Sequence, residues 1–203
     1  MKKQIISLIS AFTVSAAAMA AGSAATAMPV MADSYLERYG AGTTDLGEYE
    51  FTDTDASYQG TWWSNSAAGY SFYLPSDWEQ SEPPLAYQLL GDYAVYGDPS
   101  TNYATGKIYI GRCATLLMDD VSDLLLLGSL SEDIIQHGQA CINGIDTLLM
   151  SNENSLYGQN NLDIAFFAPG DKDHYYEMIG VYTDETSEKI VMEALATLRP
   201  YYG

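Results

Sequence analysis

Few residues in this sequence have the types and spacing that catalysis requires. The chain holds only two histidines, His137 and His174, and it lacks a Gly-x-Ser-x-Gly nucleophile motif. His174 follows Asp171 and Asp173, so a small secreted hydrolase that uses His174 as its base is one hypothesis. A polar surface turn is the more ordinary interpretation, and His137 is predicted at a helix end, where a cation is stabilised. We assign no catalytic residue.

Metal-binding patterns are equally sparse. The sequence has no His-Glu-x-x-His motif and no Cys/His cluster. Asp53 and Asp55, and likewise Asp171 and Asp173, are spaced as hard cations prefer, but neither pair belongs to a complete calcium loop. Solvated acidic turns explain both pairs, and we predict no metal site and no cofactor.

Cys113 and Cys141 are the only cysteines. An even number in an exported chain permits one disulfide, which would contribute about 3–4 kcal/mol through the loop that it closes. Two buried thiols on separate strands are the alternative, and both interpretations stay open.

Aromatic residues provide the candidate ligand-binding positions. The 17 Tyr far exceed the 5 Phe, and Trp62 and Trp63 are adjacent, so on a strand one faces the core and the other faces away. The outward ring either packs under a helix or stacks on a sugar or a protein partner. We select Trp62, Trp63, Tyr73 and Tyr175 as ligand-binding candidates.

Charge and the N-terminal pattern indicate an exported protein. The formal net charge is −19, which argues against binding to nucleic acid or to anionic membrane surfaces. Lys2 and Lys3 precede an uncharged apolar stretch that ends in small residues, the pattern of a secretory signal peptide over residues 1–32. An uncleaved anchor is the alternative. The rest of the chain contains no long apolar run, so we expect no membrane span after cleavage and a secreted or extracytoplasmic location. The candidate cleavage sites follow Ala20, Ala27 and Ala32.

Beyond the leader, residues 33–58 predict an acidic flexible lead-in and residues 59–203 a folded domain. Periodicity predicts a helical segment over 119–138 and a last helix over 185–198 that Asp184 or Thr183 caps. The predicted strands are 60–64, 70–74, 85–90, 93–96, 106–116, 141–150 with a turn or bulge at Asn143–Gly144, 162–168 and 174–182.

The run Tyr70–Trp78 predicts a strand that ends in a corner. Pro75 ends the ladder because it has no N–H, Ser76 and Asp77 turn the chain, and Trp78 returns to the core. We interpret this corner as scaffolding.

Four segments resemble the PsbP-like domains. Tyr70–Trp78 is similar to their opening strand, Ile142–Ile145 to their central strand, and Tyr175–Tyr182 and Ile190–Pro200 to their last strand and C-terminal helix. The resemblance implies an α+β fold, a mostly antiparallel sheet flanked by helices in an α/β/α sandwich. It also implies a non-catalytic binding or assembly protein. Together with the export pattern and the aromatic candidates, we expect a role in the envelope or extracellular space with a protein or glycan partner. A carbohydrate-binding module that uses surface Trp and Tyr is the alternative function.

Overall fold

The computed structural model describes residues 44–51, 56–90, 92–114, 121, 134–154 and 159–201, so the predicted leader lies outside the described residues. Neither described helix is long and apolar enough to cross a membrane. The helices are α1 (Leu85–Leu90) and α2 (Glu185–Ala196). The strands are β1 (Thr44–Phe51), β2 (Gly60–Asn65), β3 (Tyr70–Pro75), β4 (Glu79–Ser81), β5 (Asp92–Gly97), β6 (Gly106–Ala114), β7 (Ile134–Ile142), β8 (Ile145–Asn154), β9 (Gln159–Ala168), β10 (Asp171–Tyr182) and β11 (Arg199–Pro200).

The strands form two sheets. The large sheet has the order β1-β7-β8-β9-β10-β6-β5-β4, and the small sheet has the order β11-β3-β2. Every described pair is antiparallel except β1 with β7. The predicted α+β class with a mostly antiparallel sheet is therefore confirmed.

Helix α2 packs on one face of the large sheet through a glycine. Asp184 is its N-cap, as predicted, and accepts a 2.8 Å hydrogen bond from the Ser187 amide. A Cβ atom on Gly180 of β10 would lie only 2.4 Å from Val191 Cγ1 and 2.9 Å from Leu195 Cδ1. The glycine thus permits the close approach that buries Val191 and Leu195 almost completely.

Helix α1 covers the opposite face, and it corrects the prediction of a strand over 85–90. Leu, Ala, Tyr and Gln are all compatible with a helix. The carbonyl of Pro84 accepts hydrogen bonds from the amides of Tyr87 and Gln88, which form the first turn. The Tyr87 ring stacks on Tyr109, with centroids 4.3 Å apart. Because Ile108 pairs with Gly180 and side chains alternate along β6, Tyr109 points away from α2. Helices therefore flank both faces of the large sheet.

Two other predictions are wrong in part. Strand β1 lies inside the predicted flexible lead-in, where it pairs with β7. The predicted helix over 119–138 ends in strand β7 instead: residues 134–138 pair with β8, and His137 is 2% exposed within the sheet. Long-range strand pairing outweighs the local apolar spacing. Val121 lies in a 3₁₀ turn, and the remainder of that predicted helix lies outside the described residues.

The predicted turn at Asn143–Gly144 joins β7 to β8 as a tight hairpin. Both residues have positive φ, 49° and 88°, as an Asn-Gly turn between right-twisted strands requires. The Asn143 side chain donates hydrogen bonds to the carbonyls of Ala196 (3.2 Å) and Leu198 (2.8 Å). This turn therefore holds the C-terminal end of α2.

Candidate functional site

Three aromatic rings line the outer face of the small sheet. Trp62 pairs with Tyr73 across β2 and β3, and their ring centroids are 5.1 Å apart. Tyr58 stacks on Tyr73 at 5.8 Å with an angle of 9° between the rings. The guanidinium carbon of Arg199 lies 3.3 Å from the Trp62 centroid, in a cation–π contact. We call Tyr58, Tyr73 and Trp62 the aromatic strip; Trp62 remains 42% exposed.

Hydrogen bonds hold the strip in one conformation. The Tyr58 hydroxyl donates to the Tyr73 carbonyl at 2.6 Å, and the Tyr73 hydroxyl accepts from the Gly60 amide at 2.7 Å. The Tyr73 amide donates to Thr197 Oγ1 at 2.8 Å. A Cβ at Gly60 would lie 2.1 Å from the Leu74 carbonyl oxygen, so only glycine fits beneath this ring. The strip is rigid before any ligand arrives, which lowers the entropic cost of binding.

The four aromatic candidates do not form one site. Trp63 faces inward as the alternation predicts, and its ring contacts Phe72 at 4.7 Å and Tyr96 at 5.9 Å. Tyr175 lies on β10 of the large sheet, where it pairs with Cys113. Trp62 and Tyr73 are thus together, while the half-buried Trp63 packs inward against core residues and Tyr175 lies on another sheet.

The structure also corrects the disulfide candidate. Cys113 is on β6 and Cys141 is on β7, and β10, β9 and β8 lie between them. At about 4.8 Å per strand this separation is roughly 19 Å, far beyond the reach of a disulfide. The interpretation of separate thiols on strands holds, and Cys113 is buried.

A pair of acidic residues lies in the large sheet on the face that α1 covers. Asp163 on β9 pairs with Ile179, and Glu177 on β10 pairs with Ala165, so the two carboxyl groups are diagonal neighbours on one face. Burial, and then the charge of Glu177, raises the pKa of Asp163 well above its usual value. Burial also raises the pKa of Glu177, although the hydrogen bond from Tyr93 opposes the shift. Such a pair retains a proton that exposed carboxylates would have lost.

His174 belongs to a surface ion-pair cluster at the start of β10. Its Nδ1 lies 3.0 Å from Asp171 Oδ1 and 3.0 Å from Arg112 Nη2, and the tautomer decides which of the two it bonds. Tyr176 donates to Asp171 at 2.8 Å, and Arg112 Nε donates to it at 3.2 Å. Burial alone would raise the pKa of Asp171, but hydrogen bonds from His174, Tyr176 and Arg112 lower it to about 2. Asp171 is saturated with protein donors, which leaves it little capacity for a cation.

A cleft of about 370 Å³ opens beside the Pro75–Trp78 corner. Its walls come from the two residues before β2, the corner itself, the loop from β5 to the start of β6, and the first turns of α2. The lining residues are Tyr58, Gln59, Pro75, Ser76, Asp77, Trp78, Asp98, Thr105, Gly106, Ser187 and Ile190.

Main-chain hydrogen bonds tie these walls together. The Ser76 amide donates to the Gln59 carbonyl at 3.1 Å, and the Thr183 amide donates to the Thr105 carbonyl at 3.1 Å. Trp78 was predicted to return to the core, but it is half-buried and lines the cleft. The cleft is preformed, as small-molecule sites usually are.

Sequence reasoning missed the acidic pair and the cleft. Asp163 stands within the apolar run Leu162–Ala168 and Glu177 within Tyr175–Tyr182, so a carboxylate inside an apolar strand was a signal for the pair. No comparable signal marks the cleft, since its walls come from four separate segments. Among the described residues, no group of three or more His, Cys, Asp or Glu could hold a metal ion.

Comparisons with known proteins bear on the fold alone. No protein-family model matches the sequence, and no curated protein matches it. A crystal structure from Bacteroides thetaiotaomicron VPI-5482 is similar at 18% identity and a TM-score of 0.47, covering 71% of this chain and 49% of that one. This chain therefore spans about half the length of the Bacteroides protein. The solution structure of cyanobacterial PsbP (CyanoP) from Synechocystis sp. PCC 6803 is similar at 11% identity and a TM-score of 0.49, covering 70% and 92%. A PsbP structure is thus among the similar structures, in line with the resemblance that the sequence suggested.

Proposed function

We propose that this protein is an exported, non-catalytic binding or assembly protein that contacts its partner through the aromatic strip. One observation carries the proposal: Trp62 is 42% exposed although it lies against Tyr73 and Arg199. Rigid amphipathic rings of this kind supply much of the binding energy at interfaces. The signal-peptide pattern of residues 1–32 supports the exported location.

Capture from cell-surface and culture fractions tests the proposal. The secreted protein and its Trp62→Ala variant are immobilised and compared, and we expect the variant to lose most of the recovered partner. Leu89→Ala is the matched control, because Leu89 is 79% exposed on α1, away from the strip, and its loss removes a large apolar side chain of another surface. Equal recovery by both variants, or measurable hydrolytic turnover by the purified protein, would contradict the proposal.

A carbohydrate ligand is the second candidate, and the even spacing of the strip favours it. The three ring centroids are 5.1 and 5.8 Å apart, with Trp62 tilted by 49° to Tyr73, and they form an aromatic group on which a sugar ring could stack. Arg199 already covers part of Trp62, which leaves Tyr58 and Tyr73 to provide more of the contact.

Retardation in polysaccharide-containing gels tests the carbohydrate candidate. We expect the wild-type protein to be retarded and Trp62→Ala to migrate freely, whereas Leu89→Ala should behave as wild type. Trp63→Ala is a poor control because Trp63 packs against Phe72, and its loss would disturb the fold. Free migration of the wild-type protein on all polysaccharides would remove this candidate.

A further inference from the structure

The cleft beside the Pro75–Trp78 corner has a lining of one charge sign. Asp77 and Asp98 face it, and none of its lining residues is Lys, Arg or His. Two lysines lie next to the lining in sequence but are directed elsewhere: Lys107 Nζ lies 5.7 Å from the Tyr109 centroid, and Lys189 lies 3.9 Å from Glu193. The carboxylates of the cleft are therefore not neutralised by these nearby cations.

The start of α2 does not reverse this sign. A helix N-terminus is a weakly positive end, and Ser187 of the first turn lines the cleft. However, the Ser187 amide already donates to Asp184, and Glu185 and Glu188 add negative charge to the same turn. An anionic ligand would meet net repulsion here, in a chain whose formal charge is −19.

The remaining lining adds aromatic and hydroxyl groups. Trp78 and Tyr58 supply rings, Ile190 supplies an apolar surface, and Thr105 supplies a hydroxyl. Aromatic faces attract ammonium groups, and they attract them more strongly where the cation is partly desolvated. Ca²⁺ and Mg²⁺ take six or more oxygen ligands, which two carboxylates alone do not provide, and the lining has no His or Cys to bind Zn²⁺.

We propose that this cleft binds a small organic cation, an ammonium group carried on a short apolar body. Asp77 and Asp98 balance its charge, Trp78 and Tyr58 contact its alkyl or methylammonium part, and Ile190 contacts the apolar body. The size of the cleft, about 370 Å³, falls within the range of small-molecule sites. The cleft shares Tyr58 with the aromatic strip, but Trp62 does not line it, so Trp62→Ala distinguishes ammonium binding from contact with the proposed partner.

Isothermal titration of the full secreted protein with n-butylammonium and tetramethylammonium chlorides tests the inference, with glucose and butyrate as the neutral and anionic probes. We expect saturable binding of both ammonium ions, weaker at high salt, and no binding of butyrate. Asp77→Asn should weaken the ammonium affinity about fivefold or more. Asp146→Asn is the matched control, since Asp146 is exposed at the start of β8, near the opposite end of α2.

Further variants separate the parts of the site. Asp98→Asn should also weaken binding while it keeps the hydrogen bond from the Ser100 amide, because an Asn oxygen accepts as well. Trp78→Leu should weaken tetramethylammonium more than n-butylammonium, since the quaternary ion depends more on the ring. Trp62→Ala should leave ammonium binding unchanged, which separates this site from the partner surface.

Three outcomes would overturn the inference. One is the absence of saturable ammonium binding by the folded wild-type protein. Another is glucose binding that is as tight as that of the ammonium ions and that Trp62→Ala leaves unchanged, which would make the cleft a polyol site. The third is an equal loss of affinity in Asp77→Asn and Asp146→Asn. That result would show that ammonium binding depends on the net negative charge of the protein and not on the cleft.

Discussion

The Tyr93 hydroxyl donates a 2.5 Å hydrogen bond to Glu177 Oε2, and the same hydroxyl lies 3.2 Å from Cys113 Sγ. Gly111 makes room for this arrangement, because a Cβ there would lie 2.2 Å from Tyr93 Cε1. The bond satisfies Glu177, whereas Asp163 Oδ1 has no hydrogen-bond partner among the described residues. The ionised form of Asp163 therefore destabilises the folded protein, because its charge is buried and Oδ1 lacks a hydrogen bond.

The stability of the protein should depend on pH through Asp163. Its folded-state pKa lies above the ordinary value of 3.8, so the folded state binds more protons than the unfolded state, and stability falls as pH rises above about 4. Asp163→Asn removes this loss. The free energy of unfolding of the variant, relative to wild type, should increase by about 1 kcal/mol or more between pH 4 and pH 8.

Urea unfolding across that pH range measures the effect of Asp163→Asn, and the exposed Asp146→Asn serves as the control. A constant difference between variant and wild type at every pH would show that Asp163 is not perturbed.

Asp171 should have the opposite dependence. Its folded-state pKa is lowered to about 2, below the ordinary 3.8, so it contributes stability above pH 4 that is lost as pH falls through 2. Asp171→Asn should lower the Tm at pH 7 by at most about 2–4 °C, with a difference that vanishes near pH 2. Thermal melts of the variant, of Asp146→Asn as an exposed control and of wild type provide the comparison. If Asp171→Asn and wild type have the same Tm at pH 7, the ion-pair cluster of Asp171 with Arg112 and His174 contributes nothing to stability.

Gly180 should tolerate no side chain while α2 keeps its position. Gly180→Ala forces a methyl group against Val191 and Leu195 and should cost about 1–3 kcal/mol of unfolding free energy. Val191→Ala opens the contact, so the double variant should be more stable than the two single effects added together predict. Denaturant titrations of the wild type, the two single variants and the double variant measure the four unfolding free energies. If the two single effects add up to the effect of the double variant, Gly180 and Val191 are not in contact, and the position of α2 on the sheet is wrong.

Cys113 and Cys141 should be found as two thiols. The intact mass of the secreted protein should be the same with and without reductant, since four strand spacings separate the two residues. Burial raises the pKa of the Cys113 thiol, so iodoacetamide should modify it slowly in the folded protein and rapidly in denaturant. Detection of a peptide that links Cys113 to Cys141 would refute this strand order.

Local patterns predicted many elements of the fold. The strands around Tyr70–Pro75 and His174–Tyr182 follow from alternation, and the last helix follows from its Asp184 cap and apolar stripe. Leu85–Leu90 was mispredicted because a short apolar run of six residues fits a strand or a helix equally well. The helix predicted over residues 134–138 is wrong because Ile fits the apolar spacing of a helix and also has a high propensity for strands.

Some features of the candidate sites follow from local patterns in the sequence, and others depend on contacts between distant segments. Alternation along one strand correctly separates Trp62 from Trp63, because neighbouring side chains of a strand must point to opposite faces. No local rule states that Tyr58 would stack on Tyr73, or that Asp77 and Asp98 would share a cleft, since these contacts join segments far apart in the chain.

The sequence by itself determined the acidic character, the signal-peptide pattern, the Pro75–Trp78 corner and the local propensities of most elements. Only the tertiary structure decided which strands are neighbours. The strand order separates Cys113 from Cys141 and places Asp163 beside Glu177. The packing of distant segments also forms the cleft beside Trp78. The physical reason is that alternation and capping depend on residues a few positions apart. Sheet order and cavity walls depend instead on the total burial that distant segments achieve together.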